Sequence, residues 1–574
     1  MVVPRPTSSR RRRLLRRLVP LLALAALAFL GGLVVGSIHE PAERALAGRF
    51  VAAWERGDYA AMYALVTPDV RKTTTVTRFA RAYRRAATTA TLTDLHAERL
   101  SEPRDGTVTV AMRVRTRIWG EIDQTLTLPV RSDADGEPAI AWDPSLVFPG
   151  LAAGEELSRR MRMPVRATLR ARDGTVIARG EDRSSDLDPL ANEIAGRLGP
   201  APAERAVELA ARGVPADAEV GLTGLEREFD SELAGTPGGE LLAGARELAT
   251  VPPRPGHGVR TTIDPRIQLA AVEALAGRYG GIAAVRPRTG EVLALSGLAF
   301  SAPQPPGSVF KIITLSGAVE AKTVRRNESF PVLTAATLEG IELENANGES
   351  CGGTLIQSFA HSCNSVFAPL GAELGARRLV ATAERFGFNE DPGLAGAARS
   401  TIPPADEIGD DLAVGSTAIG QGKVLATPLQ MALVAATIAE QGVRPRPTLR
   451  KGDDAETVRA IPESVARFVG RSMRAVVTGG TGVGAAIDGV PVAGKTGTAE
   501  LRTTVKQDPL PQAGEQEPPP PEDDPTDTDA WFAAYAPADH PRIAVSVLLI
   551  AQGAGGEVAA PAARHVIEAA VTGA

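Results

Sequence analysis

The chain has 574 residues, enough for about three or four domains, with 44% hydrophobic residues, 23% charged residues and a net charge of −5. Seven arginines fall within residues 1–17, so the remainder is more acidic still, a poor match for a nucleic-acid backbone. Two cysteines and six scattered histidines offer no zinc-ligand spacing, which excludes a structural zinc module and a zinc peptidase.

Taken in chain order, Arg5, Arg10 to Arg13, Arg16 and Arg17 precede an uncharged stretch from Leu18 to Ile38, 21 residues long. That length crosses a hydrocarbon core of about 30 Å. Positive charge stays on the cytoplasmic side, so the pattern predicts a cytoplasmic basic tail (1–17), a single-pass anchor (18–38) and everything after His39 outside. The competing reading is a cleaved signal peptide, or a twin-arginine signal given Ser9 followed by Arg10 to Arg13, against which the apolar run is long and Gly36-Ser37-Ile38 is a weak cleavage site.

Periodicity predicts an amphipathic helix over 41–57, with Leu46, Phe50, Val51 and Trp54 on one side. A second short helix is expected at Tyr59–Leu65 and another near Arg78–Ala87. Alternation in Thr107–Val114 and Asp123–Val130 predicts paired strands, so 40–150 reads as an α+β domain. Residues 151–255 read as a separate module, with strands around the Asp173-Gly174 turn and helical stretches at Leu187–Arg197 and Pro202–Arg212. Val251-Pro252-Pro253-Arg254-Pro255-Gly256 closes it.

From 256 to 574 the pattern predicts one large α/β unit. Strands are expected at Thr261–Asp264 and Gly281–Val285 with a helix between, then a helix through Leu315–Ala321. An alternating strand is expected at Arg542–Ile550 and a closing helix at Ala562–Val571. Gln507–Thr528 holds seven prolines, seven acids and no base, the composition of a solvated insert.

Only seven of the 63 basic residues are lysines. This makes each of them informative, because lysine can give up its proton and arginine cannot. Lys311 alone has a serine three places earlier, in Pro305-Pro306-Gly307-Ser308-Val309-Phe310-Lys311. Residues at i and i+3 share a helix face, which brings hydroxyl and amine within reach. Apolar neighbours lower a lysine's pKa by desolvation and make it a base, and Val309, Phe310, Ile312 and Ile313 supply them. Ser362-Cys363-Asn364 adds a second hydroxyl to relay a proton and an amide to orient a peptide. Lys495-Thr496-Gly497-Thr498 adds a charge for a carboxylate, a glycine permitting close backbone approach, and an N–H that can donate to an oxyanion.

Each motif alone is common, but S-x-x-K, S-x-N and K-T-G in this order resemble the penicillin-recognising serine acyl transferases. Thr261 to Gln268, Gly420-Gln421-Gly422 with Thr427 to Met431, and Ala530 to Pro537 extend the resemblance. It implies an antiparallel sheet flanked by helices, Ser308 as nucleophile and Lys311 as general base. It further implies Ser362 as proton relay, Asn364 as substrate-amide contact, and Lys495, Thr496, Gly497 and Thr498 as the substrate-binding strand. The Ser308 and Thr498 N–H groups would form the oxyanion hole, and no cofactor or metal is called for.

Within that superfamily the chain lacks the E-x-x-L-N of class A β-lactamases, carries Asn364 where class D enzymes are apolar, and has no glycosyltransferase texture in 41–255. What remains resembles the monofunctional class B penicillin-binding proteins, peptidoglycan D,D-transpeptidases. Phe50 to Tyr59 resembles the opening of a nuclear transport factor 2-like cone. The order anchor, cone, pedestal or dimerisation-like module (151–255) and transpeptidase domain (256–574) is similar to the methicillin-resistance type. The implied partners are stem peptides, β-lactams, the membrane and other wall-synthesis proteins of the divisome or elongasome, with no nucleic acid. A D,D-carboxypeptidase is the alternative, ahead of a β-lactamase-like hydrolase. Cys351 and Cys363, the only cysteines, sit twelve apart in a compartment that permits oxidation and are a disulfide candidate, two buried thiols being the other outcome.

Overall fold

The computed structural model describes residues 40–132, 136–188, 190–500 and 528–572, which form two compact units. The expected basic tail, the anchor at 18–38 and the insert as far as residue 527 lie outside the described residues. Among those described, no helix is long and apolar enough to cross a membrane.

The first unit opens with the amphipathic helix Ala42–Glu55, which buries Phe50, Val51 and Trp54. Gly57 leaves it at φ +69°, and the Asp58 side chain caps the next helix, Tyr59–Ala64, by accepting from the Ala61 N–H. Helices Pro68–Thr73 and Val76–Thr89 follow. Aromatic residues are scarce in the chain yet gather here, Trp54, Tyr59, Phe79 and Trp142 packing around Tyr83 and one another with ring centroids 4.9–5.6 Å apart. The helices cover an antiparallel sheet of four strands in sequential order, Leu92–Leu100, Thr107–Thr116, Gly120–Ser132 and Pro138–Ile140. Its first strand gives no alternating signal, since most of its side chains are polar. Pairing with Thr107–Thr116 supplies what propensity does not.

Residues 151–255 contribute to both units. Strand Leu157–Arg162, helix Ala203–Ala211 and the hairpin Gly238–Val251 cluster with the first, whereas 165–200 and 219–235 belong to the second. In the second unit Glu226, 1% exposed, takes Arg166 at 2.6 Å and Arg183 at 2.8 Å, and Arg166 also reaches Asp230 at 2.8 Å. Two buried carboxylates and two half-buried guanidinium groups thus neutralise one another.

The second unit is built on five antiparallel strands, β1 (Gly280–Val285), β2 (Val292–Gly297), β3 (Ala493–Glu500), β4 (Thr528–Ala536) and β5 (Ile543–Leu549), in the order β2-β1-β5-β4-β3. β4 and β5 are buried on both faces. Along β4, Trp531, Ala533 and Tyr535 enter one core while Ala530, Phe532 and Ala534 enter the other. The helices that matter for the site and its support are α1 (Pro265–Leu275), α2 (Lys311–Ala321), α3 (Leu355–Ala360), α4 (Asn364–Leu374), α5 (Pro428–Ala439), α6 (Glu463–Gly479) and α7 (Ala560–Val571). Helices α1 and α7 lie on one face of the sheet and α5 on the other, where α5 is apolar nearly all round and buried to match.

The strand expected at Thr261–Asp264 is displaced. It is confined to Val259–Arg260, and Asp264 instead caps α1, accepting from Arg266 N–H ahead of Pro265 at the first helical position.

Candidate active site

The segment Gly307–Phe310 is a 3₁₀ turn, and α2 begins only at Lys311. In a 3₁₀ turn, residues i and i+3 eclipse, so Ser308 and Lys311 share a face for a different reason than the α-helical spacing suggested. Two glycines make the turn possible. Gly307 sits at φ +52°, where a Cβ would lie 2.7 Å from the Thr498 carbonyl oxygen. Gly420 sits at φ +82°, where a Cβ would lie 1.9 Å from the Gly307 carbonyl oxygen. The Gly307 N–H donates to Gly420 O at 2.9 Å. The Gly420-Gln421-Gly422 pattern therefore contributes a cradle for the serine turn, a role that its sequence does not reveal.

Strand β3 is the outer strand of the sheet and runs past this turn. A Cβ on Gly497 would stand 2.9 Å from Pro306 O and 3.1 Å from Val309 N. The missing side chain is thus what lets the K-T-G backbone approach Ser308. Ser308 and Thr498 are both half-buried beside it, and Thr496 shares a 2.5 Å hydrogen bond with Thr481, a partner with no motif of its own.

Lys311 and Lys495 are each completely buried. The Lys311 ammonium donates to Ser362 O at 2.7 Å, Asn364 Oδ1 at 2.6 Å and Ser362 Oγ at 3.3 Å. Lys495 donates to Ser362 Oγ at 2.8 Å and to Thr496 O at 2.9 Å. Ser362 holds this position in a left-handed conformation, φ +60°, between α3 and α4. The rings of Phe367 and Phe359 lie 5.7 and 5.6 Å from the two ammonium groups. Burial pushes Lys311 well below the ordinary lysine range, and the charge of Lys495 pushes it the same way. Burial lowers Lys495 to about 7.

The structure therefore brings together the three motifs found in the sequence. The hydrogen bonds of Lys311 go to the S-x-N segment and none to Ser308. The Asn364 amide is engaged at both ends, its Nδ2 donating to Glu344 O at 2.7 Å. Cys351 and Cys363 are joined by a disulfide, which ties a neighbouring strand to the centre of the S-x-N motif. Among the described residues no cluster of histidine, cysteine or acidic side chains has the form of a metal site.

Residues 280–568 match the Penicillin binding protein transpeptidase domain family, and 41–155 match the NTF2-like N-terminal transpeptidase domain. Peptidoglycan D,D-transpeptidase PbpA of Mycolicibacterium smegmatis is 34% identical over 417 residues, which are 61% of this chain and 79% of that protein. Among solved structures, penicillin-binding protein A from Mycobacterium tuberculosis is similar with a TM-score of 0.55 and 28% identity, over 71% of this chain and 99% of that one. An imipenem acyl-enzyme complex of the same protein is similar with a TM-score of 0.55 and 27% identity, over the same shares.

Proposed function

We infer the reaction from the premise that this chain belongs to the penicillin-binding protein transpeptidase family: it is a peptidoglycan D,D-transpeptidase working through a serine acyl-enzyme that β-lactams also form. The observation that carries the assignment of roles is the convergence of two buried lysines on one hydroxyl beside the Ser308 turn.

On this reading Ser308 Oγ attacks the carbonyl between the two terminal D-alanines of a donor stem peptide. Neutral Lys311 takes the hydroxyl proton, which its burial permits. The oxyanion is met by the N–H groups of Ser308 and Thr498, held together by the absent side chain of Gly497. Ser362, between the two amines, passes the proton to the departing D-alanine nitrogen as the C–N bond breaks. Lys495 in its charged form, with Thr496 and Thr498, holds the substrate carboxylate. An acceptor amine then attacks the ester, gives up a proton by the same relay, and releases Ser308. A β-lactam acylates Ser308 likewise, but its leaving group stays tethered and obstructs the acceptor.

The anchor at 18–38 would keep the catalytic unit on the outer face of the cell membrane. Residues 40–150 and 151–255 would serve as cone and pedestal to the transpeptidase domain at 256–574, as the methicillin-resistance type of architecture implies. Other wall-synthesis proteins would be its partners there.

The test is intact-mass analysis after benzylpenicillin, combined with nitrocefin turnover. One adduct is expected in the wild type and none in Ser308→Ala, with a stoichiometric nitrocefin burst followed by near silence. An adduct undiminished in Ser308→Ala, or sustained hydrolysis at many turnovers per second, contradicts the reading.

A further inference from the structure

Helix α4 begins with its first N–H groups unpaired by the helix itself, as every helix does. Cys363 occupies the capping position and makes no side-chain cap hydrogen bond. The S-x-N pattern thus leaves the helix that carries Asn364 without a local cap. The missing acceptor comes from twenty residues earlier, since Asn345 Oδ1 accepts from the Ser365 N–H at 2.8 Å.

Asn345 is 4% exposed, and both polar ends of its side chain are engaged. Its Nδ2 donates to Leu333 O and to Glu349 O, each at 2.8 Å. These carbonyls flank the excursion that contains the paired strands Ala335–Leu338 and Ile341–Glu344. One amide therefore closes the base of that excursion and pins it to the first turn of α4. The preceding residue, Glu344, presents the carbonyl that takes Asn364 Nδ2. The orientation of Asn364 follows, because a carbonyl only accepts. Glu344 O must face Nδ2, which leaves Oδ1 for the Lys311 amine.

We propose that Asn345 is a positioning residue for acyl transfer, clamping the start of α4 and the Glu344 carbonyl so that Asn364 keeps its oxygen on the Lys311 amine. The inference rests on the roles given above to Ser308, Lys311 and Asn364. Without the clamp, Asn364 loses its fixed orientation and Lys311 loses an acceptor that favours its charged form. The charged group facing Lys311 is Lys495 on β3, while Ser362, Asn364 and the Phe367 ring are neutral. Losing the acceptor therefore moves the rising limb of acylation against pH to lower pH, while misplacement of the base lowers the maximal rate.

The experiment measures the second-order rate of Ser308 acylation by a fluorescent penicillin across pH. It compares wild type, Asn345→Ala and Asn345→Asp, each also combined with Asn364→Ala, with thermal melting followed alongside. Asn345→Ala is expected to slow acylation by roughly 10- to 100-fold, an effect of the size that small misplacements produce, and to move the rising limb to lower pH. Asn345→Asp, which keeps an oxygen for the Ser365 N–H but loses both donors, is expected to fall in between. Neither substitution should slow the reaction further once Asn364 is alanine. Rates and limbs unchanged in the Asn345 variants, or a loss that persists undiminished beside Asn364→Ala, overturn the proposal. If Asn345→Ala does not fold, Asn345→Asp in the two backgrounds makes the same decision. A wild-type protein whose Ser308 takes no adduct would instead defeat the assignment of the nucleophile, a separable result.

Discussion

Lys311 and Lys495 stand on a helix and a strand far apart in the chain, yet both reach the Ser362 hydroxyl, at 3.3 and 2.8 Å. Two buried amines cannot both stay charged on one acceptor at little cost, and each discourages the other's proton. The pair is thereby biased toward one neutral and one charged lysine, which is what a base and a carboxylate-binding group require.

This bias has a pH signature. A lysine is neutral above its pKa and charged below it, so acylation should rise as Lys311 loses its proton and fall as Lys495 loses its own. Lys495 is held at about 7, which places the falling limb of the second-order rate near neutral pH in the free enzyme. In Lys495→Arg that falling limb should vanish, since guanidinium stays charged. Stopped-flow acylation between pH 5 and 10 decides it, and an alkaline limb retained in Lys495→Arg would assign it to another group.

The two lysines should also differ under the same substitution. Lys311→Arg keeps the charge but cannot accept the Ser308 proton, so acylation should drop by roughly the 10²–10⁴-fold that a general base contributes. Lys495→Arg at neutral pH should be milder. Equal losses in the two variants would mean that Lys311 is not the base.

Gly497→Ala should fold and fail. The added methyl would stand 2.9 Å from Pro306 O and 3.0 Å from Trp531 Cβ, so β3 must move off the serine turn. Removing one oxyanion donor costs roughly 10²–10³ in rate, and a loss of that order is expected with little change in melting temperature. Near-wild-type acylation would show that β3 need not approach Ser308 so closely.

The Cys351–Cys363 bond closes a short loop, the two cysteines standing twelve apart in sequence. A crosslink of that span stabilises by about 2–4 kcal/mol, so Cys351→Ser with Cys363→Ser should lower the urea unfolding free energy by that amount. Peptide mapping without reductant should recover the linked pair from the untreated protein.

Glu226→Ala tests the buried ion cluster of the second unit. It leaves Arg166 and Arg183 without their shared carboxylate, and breaking a buried pair in this way costs about 3–5 kcal/mol. Denaturant unfolding should show the loss, while the acylation rate of the folded fraction stays that of the wild type.

The pairing of Ser308 with Lys311 was legible in the sequence because it is local. A serine and a lysine three apart share a face whether the backbone is α-helical or 3₁₀, so Ser308 and Lys311 could be paired without knowing which. The apolar alternation of Thr107–Val114 is likewise short-range, and it falls within the strand Thr107–Thr116. Asp264 was the exception, its cap-and-proline signature being read as the end of a strand.

Other features depend on contacts between residues distant in the chain, and no short window contains them. The polar strand Leu92–Leu100 exists through its pairing partner. Gly420 matters because it cradles Gly307, Thr481 because it meets Thr496, and Asn345 because it caps a helix twenty residues away. The sequence by itself determined which groups can attack, accept a proton and bind a carboxylate, since these are properties of side chains. Only the tertiary structure decided their protonation and aim, because desolvation and hydrogen-bond geometry arise when separate segments are buried against one another.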